Sequence, residues 1–442
     1  MQRLQWFEEK EQSPLAKLKE KSLLTSNITW LYGLQGLNYL IPVLLLPYLV
    51  RVLGLEQYGL IAFAQAIAQY FNIATDYGFN FSATRAIARS RDDKRETSRV
   101  FWTVLAIKGA LLVVGAVVLA GAVFTSARLR SDANVYFAAY VGVVGNAIFP
   151  QWLFQGMERM RSISIITGVA KLASALMVVL FVHGPGDTFL ATLLLSSGFL
   201  IAGIVGVFVA LRNHVPHFVR PGRQDIHSSL RDGRHLFLTS AAISLYSNTN
   251  TFLVGVLAGN VQAGYFSLAD KIIRAVTGLV APVIQAAYPH VIRLIATSRQ
   301  QAVAFLRKTM LGGAALGSLL GLSVLAFARP LAHVAFIQHG PAAVPLLRCL
   351  SPFPLLASMS YILGVLVLIP FGFDRAQGRL LFSIGLINIA IGCILIPHFG
   401  ALGGVLAMSV IEIMQITGSF AILVRGGVNL ICAVIEPKAA AG

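Results

Sequence analysis

The sequence predicts an all-α polytopic membrane protein, with about twelve transmembrane helices in two related halves. Three observations carry this. Of 442 residues, 56% are hydrophobic and 12% charged, about half the ~25% charged share of a soluble chain, and the mean hydropathy is +0.74. Apolar runs of about 20 residues, the length that crosses a bilayer, recur from end to end. The second half of the chain also repeats a pattern of the first.

The runs fall in order at 27–49, 59–81, 101–124, 134–154, 162–183, 188–211, 235–258, 263–289, 309–328, 346–371, 379–396 and 401–424. The second, eighth and tenth are the least uniformly apolar. The tail before the first run mixes Glu and Lys around Leu15 and Leu18; an interfacial helix and a plain cytosolic tail both fit it. Its charge, and the full length of the run behind it, predict no cleavable signal peptide. In the ninth run Gly313, Gly317 and Gly321 share one helical face, which predicts close helix packing.

The formal charge of +17 follows from topology. With the N-terminus inside, the cytoplasmic segments hold 26 of the 35 Lys and Arg, and the outside loops hold Arg51, Arg128, Arg130 and Arg329. Short cytoplasmic loops carry this excess because positive charge resists translocation. Both termini are therefore expected in the cytoplasm, and nucleic acid is not an expected partner. Cys349, Cys393 and Cys432 are scattered among apolar residues and predict neither disulfides nor a metal site.

A shift of 205 residues aligns the halves. "GLEQYG" (54–59) meets "GNVQAG" (259–264), sharing Gly-x-x-Gln-x-Gly, and "IARSR" (87–91) resembles "IATSR" (295–299) at a shift of 208. An even number of spans per half makes this a parallel repeat. The chain accordingly divides into a tail (1–26), a first six-span half (27–211), a basic loop (212–234), a second half (235–424) and a C-terminal tail (425–442).

The second run carries Gln65, Gln69, Asn72, Asp76 and Asn80, one face at the 3.6-residue period of a helix. The shift maps Gln65 to Asp270, Gln69 to Arg274, Asn72 to Thr277 and Asn80 to Gln285, whereas Asp76 meets Ala281. Amides can simply glue neighbouring helices, but a polar face recurring in both halves also predicts a water-filled cavity between them. Lys108, Lys171, Lys271, Arg274 and Arg348 fall in or near spans, where each would cost roughly 2.5–3.5 kcal/mol facing lipid. Snorkelling to an interface is open to each of them. Only Asp76, Asp270 and Glu412 oppose them at comparable depth, so the interior is net cationic and its natural guest is an anion. Arg85, Arg89 and Arg91 sit at the cytoplasmic mouth below the stripe.

The chain has no Gly-rich phosphate loop with Lys-Ser/Thr, no H-E-x-x-H and no G-x-S-x-G, so no ATPase or hydrolase chemistry of those kinds is expected. The nine histidines form no ligand-spaced pair, no cofactor is expected, and the outside loops are short. Transport by a protein that is not an enzyme is the simplest reading.

"YGLIAFAQAIAQYFNIATDYGFNFSATRAIARSRDD" (58–93), "PQWLFQGMERMRSISI" (150–165) and "IPHFGALGGVLAMSVIE" (396–412) resemble the O-antigen and polysaccharide flippases of the Wzx type. These belong to the polysaccharide transporter family of the multidrug/oligosaccharidyl-lipid/polysaccharide exporter superfamily. The resemblance implies two six-helix bundles around a central lumen in the bacterial inner membrane. It implies transfer of undecaprenyl-pyrophosphate-linked oligosaccharide, an O-antigen, capsule or exopolysaccharide repeat unit, between leaflets by alternating access. Other polysaccharide-assembly membrane proteins are then expected partners, besides the bilayer. On this reading Lys108, Lys171, Lys271, Arg274 and Arg348, with Arg85, hold the anionic cargo. Gln65, Gln69, Asn72, Asn80, Thr277 and Gln285 meet the glycan, and Asp76, Asp270 or Glu412 exchanges H+ or Na+. A multidrug exporter of the same superfamily is the near alternative, and an integral-membrane glycan polymerase or ligase the distant one. A cationic cavity weighs against the first and the short outside loops against the second.

Overall fold

The computed structural model describes residue 36 and residues 40–428 except 216, 279, 338 and 339; at 247, 281–283, 285, 286, 289 and 296 it describes the backbone alone. The N-terminal tail expected at 1–26, and most of the C-terminal one, lie outside the described residues.

The first half comprises α1 (Leu40–Leu53), α2 (Leu55–Asp76), α3 (Phe79–Arg89), α4 (Lys94–Thr125) and a short α5 (Ala127–Ser131). It continues through α6 (Ala133–Ile148), α7 (Gln151–Gly156), α8 (Met160–Phe181) and α9 (Thr188–Asn213). The second half follows the same order: α10 (Arg223–Ser247), α11 (Thr249–Ala258), α12 (Asn260–Thr277), α13 (Ala281–Thr297) and α14 (Arg299–Ala326). Then come a short α15 (Ala328–Phe336), α16 (Gly340–Leu350), α17 (Phe353–Tyr361) running into π-helical turns (Ile362–Leu368), α18 (Asp374–Phe399) and α19 (Ala401–Arg425).

Eight helical stretches among the described residues are long and apolar enough to cross a membrane, with α1 and α11 as shorter apolar helices. The first, second, seventh and eighth expected spans are not among the eight. The first begins within undescribed residues, α2 and α12 are diluted by their polar face, and the seventh is divided at Asn248 between α10 and α11. Sequence chemistry explains the other interruptions. Tyr77 (φ 47°) and Gly78 (φ 78°) end α2 in left-handed backbone, and a Cβ on Gly78 would stand 2.7 Å from the Leu236 Cβ. Pro150 precedes α7. Asp93 starts α4 by accepting from the amides of Arg95 (2.9 Å) and Glu96 (3.1 Å), an N-cap.

Burial separates inner from outer spans. Two thirds of the most apolar stretch between Ala133 and Gly156 is buried (67%), against 28% for α4 and 17% for α14. Val113, Val114, Val117 and Val118 on α4, and Leu319 and Leu322 on α14, point outward. Apolar side chains on an outer surface suit lipid as the solvent.

Both copies of the Gly-x-x-Gln-x-Gly motif do the same structural work. Gly54 (φ 82°, ψ 163°) and Gly259 (φ 89°, ψ 177°) turn the chain into α2 and α12 with backbone that L side chains rarely adopt. The Gln57 Oε1 accepts from Thr188 Oγ1 (3.1 Å) at the start of α9, and the Gln262 Oε1 accepts from the Ala401 amide (2.9 Å) at the start of α19. The motif therefore ties the second span of each half to the sixth. Between halves, α2 packs along α12 and α11, and α10 packs on α2, α3 and α4. Arg128 on α5 reaches across to donate to the carbonyls of Gly255 (2.5 Å) and Val256 (2.8 Å) near the end of α11.

Candidate functional site

The stripe on α2 opens into a cavity of about 330 Å³. Gln65, Gln69 and Asn72 form one wall, and Leu45, Leu46 and Leu49 of α1 form an apolar one. Two ammonium groups complete it, Lys171 from the middle of α8 and Lys271 from α12. Each is set against an aromatic ring. The Lys171 Nζ lies 5.5 Å from the Phe199 centroid. The Lys271 Nζ lies 5.3 Å from the Tyr58 centroid and donates to its Oη at 2.9 Å. Ring faces attract cations, so the aromatic contacts help to steady both charges. No carboxylate is among the described residues lining this cavity. One cation from each half, amides between them and an apolar flank suit an anionic group that carries both polar and apolar parts.

Two smaller cavities adjoin inside the first half. One, of about 250 Å³, shares Lys171 and Phe199 with the first and adds Asn146, Gln151 and Thr167. The other, about 10 Å³, is bounded by Asn72, Asp76, Asn80, Lys108 and Asn146. The Asn146 Nδ2 donates to Asn72 Oδ1 (3.1 Å), joining the walls. At the end of this path Lys108 Nζ meets Asp76 Oδ1 at 3.0 Å, their side chains 4% and 23% exposed. A buried charge without a partner is strongly destabilising, and this pair neutralises itself.

The counterpart residues of the second half are engaged with one another. The Arg274 Nε donates to both oxygens of Asp270 (2.8 and 2.7 Å), and Thr277 Oγ1 donates to the Arg274 carbonyl (3.1 Å). The Tyr246 Oη donates to Glu412 Oε1 at 2.6 Å, with Glu412 only 7% exposed. Arg85 and Arg348 are exposed and line none of the three cavities. The side chain of Gln285 lies outside the described residues.

The structure thus gathers Gln65, Gln69, Asn72, Lys171 and Lys271 around one space and sets Asp76, Asn80 and Lys108 around another. Asp270, Arg274, Thr277 and Glu412 stand apart in the second half. Because the chain turns at Tyr77 and Gly78, Asn80 sits on α3 and the stripe does not run on unbroken. Tyr58, Asn146, Gln151, Thr167 and Phe199 are lining residues that periodicity did not single out. They come from five helices as isolated polar or aromatic positions, with no shared spacing along the chain.

Residues 24–295 match the family described as polysaccharide biosynthesis protein. A relative from Escherichia coli (strain K12), described as "Putative O-antigen transporter", is 30% identical over 412 residues, covering 93% of this chain and 99% of the relative. Among solved structures, a lipid II flippase, MurJ, in an inward closed conformation is similar with a TM-score of 0.68 and 14% identity, over 90% of this chain and 87% of that one. An inward-facing multidrug resistance transporter of the MATE family in the MOP superfamily is similar with a TM-score of 0.63 and 16% identity, over 89% and 93%. At such identities the likeness is one of fold.

Proposed function

The chain belongs to the polysaccharide biosynthesis protein family, and from that premise we propose that it is a flippase for a lipid-linked oligosaccharide. The carrier is undecaprenyl pyrophosphate, and the passage runs from the inner to the outer leaflet of the bacterial cytoplasmic membrane, with the basic loops and both termini on the cytoplasmic side. The observation that carries this reading is the pair Lys171 and Lys271, one from each half, facing a single cavity whose described lining holds amides and no carboxylate. Charge-assisted hydrogen bonds from the two ammoniums would hold the pyrophosphate, the amides of Gln65, Gln69 and Asn72 would meet sugar hydroxyls, and the lipid would lie along the apolar wall of α1. Two bundles rocking about this site would expose it to each side in turn.

For coupling to H+ or Na+ we assign Glu412. Asp76 and Asp270 each bond a cation directly, whereas the Tyr246 phenol donates to Glu412 and Arg274 acts on it only through space, so its charge is held less firmly in one state. If a Glu412→Gln protein still transported with full dependence on an ion gradient, this assignment would fail.

The test of function uses proteoliposomes holding a lipid-linked oligosaccharide, with glycan accessibility to a membrane-impermeant oxidant followed over time. Protein-dependent translocation that is lost in Lys171→Ala and Lys271→Ala is the expected result. No translocation under any gradient, together with drug resistance in overproducing cells, would favour a multidrug exporter instead.

A further inference from the structure

We propose that the cavity of about 250 Å³ inside the first half is a saccharide subsite, taking the sugar ring next to the diphosphate. This rests on the flippase reading and gives the same site a second compartment. Lys171 and Phe199 belong to the walls of both cavities. A diphosphate at the Lys171 ammonium therefore stands at the junction, and the group attached to it can enter the smaller space while the lipid follows α1.

The lining has the chemistry of a neutral sugar site. Asn146 and Gln151 each present an amide donor and acceptor side by side, the pairing that vicinal hydroxyls or an acetamido group require. Asn146 spends one N–H on Asn72, which leaves its second N–H and its carbonyl oxygen. The Thr167 hydroxyl donates to the Ile163 carbonyl (2.6 Å), leaving its oxygen as an acceptor. Phe149 and Phe199 supply ring surface, and Phe199 is 43% exposed. Aromatic faces carry partial negative charge, so the weakly positive C–H face of a sugar ring packs on them while its hydroxyls reach the amides at the rim.

Size and charge narrow the guest. The volume is below the roughly 300–1,000 Å³ of sites for drug-sized ligands, enough for one ring and its substituents, so further sugars would stay in the larger cavity. Among the described lining residues no carboxylate is present to bind a cationic amino sugar. The ligand class is a neutral hexose or N-acetylhexosamine.

The experiment measures binding of two probes to the full-length protein in nanodiscs: undecaprenyl pyrophosphate, and the same lipid bearing one N-acetylglucosamine. The wild type is expected to prefer the glycosylated lipid by roughly tenfold. Asn146→Ala and Gln151→Ala should each erase most of that preference while keeping affinity for the bare lipid, which also reports that the variants are folded. A wild type without preference, or variants that keep it, would overturn the subsite and leave the flippase reading standing; a cavity that merely holds water would behave this way. Failure of the wild type to bind either lipid would instead strike the flippase reading itself, and the subsite with it.

Discussion

Gly59 and Gly264 meet face to face where the two halves join. A Cβ on Gly59 would stand 1.8 Å from the Asn260 carbonyl oxygen, and one on Gly264 2.6 Å from the Leu55 carbonyl oxygen and 3.3 Å from the Gly59 Cα. The shift of 205 that relates the two glycines also relates Leu55 to Asn260. The contact is self-complementary, as at a twofold interface between subunits, here within one chain. Backbone rather than flexible side chain opposes each glycine, so neither neighbour can yield cheaply. Gly59→Ala and Gly264→Ala should each lower the thermal midpoint of the purified protein, by the equivalent of about 1–3 kcal/mol of overpacking. Gly121→Ala, on α4 with nothing within 4 Å of its added methyl, is the control and should not be destabilised. Unchanged midpoints for both interface variants would mean that the halves do not depend on this contact.

Arg128 fastens the halves together at the end of α11, through Gly255 and Val256, and its guanidinium lies 5.7 Å from the Phe63 centroid. Hydrogen bonds from charged groups contribute about 1.5–3 kcal/mol, enough to bias an equilibrium between open and closed forms. In Arg128→Ala, a cysteine placed at Gln65 in a background lacking the native cysteines should react severalfold faster with an impermeant maleimide added on the Arg128 side. Equal labelling rates would show that the clasp does not govern access.

The Lys108–Asp76 pair should show strong coupling. Removing one charge leaves the other buried alone, at about 3–5 kcal/mol, whereas replacing both by apolar groups can be nearly neutral. Lys108→Met should therefore lower the thermal midpoint more than Lys108→Met combined with Asp76→Leu. Additive losses would show that each residue is stabilised by other neighbours.

His214, just beyond α9, is held below its usual range, first by burial and then by Arg159 nearby. The folded protein therefore keeps the ring neutral while the unfolded chain takes up a proton near the ordinary value of 6.5. With more protons bound in the unfolded state, stability rises with pH and is lost as pH falls through that value. The fall in thermal midpoint between about pH 7.5 and about pH 5.5 should be shallower in His214→Gln than in the wild type. An identical slope would place the pH dependence elsewhere.

Part of the site was legible because part of it is periodic. Gln65, Gln69 and Asn72 stand on one helical face by spacing alone, and they line the cavity shared with Lys171 and Lys271. The cations were legible as a set, since a Lys inside an apolar run is conspicuous, but their roles were not. Lys108 and Asp76 lie 32 residues apart in sequence and each looks equally able to face cargo. Only the packing of α2 against α4 makes them a pair. The repeated Gly-x-x-Gln-x-Gly was visible as a coincidence of spacing, while its purpose needed the partners at Thr188 and Ala401. Asn146 and Phe199 had no local signal, and Gln151 lay in a family-like stretch (150–165) that gave it no role.

By itself the sequence determined the membrane class, the helical fold and the existence of two related halves. Those properties are local: the thickness of a bilayer sets the length of an apolar run, the pitch of a helix sets the spacing of a face, and a repeat needs no partner to be seen. The tertiary structure alone decided which charges face the cavity and which neutralise one another. That outcome depends on how each helix is rotated about its axis and where it breaks. A turn at Tyr77 and Gly78, or the close approach of α2 to α12, moves a side chain from cavity to contact without changing the hydropathy of the run that carries it.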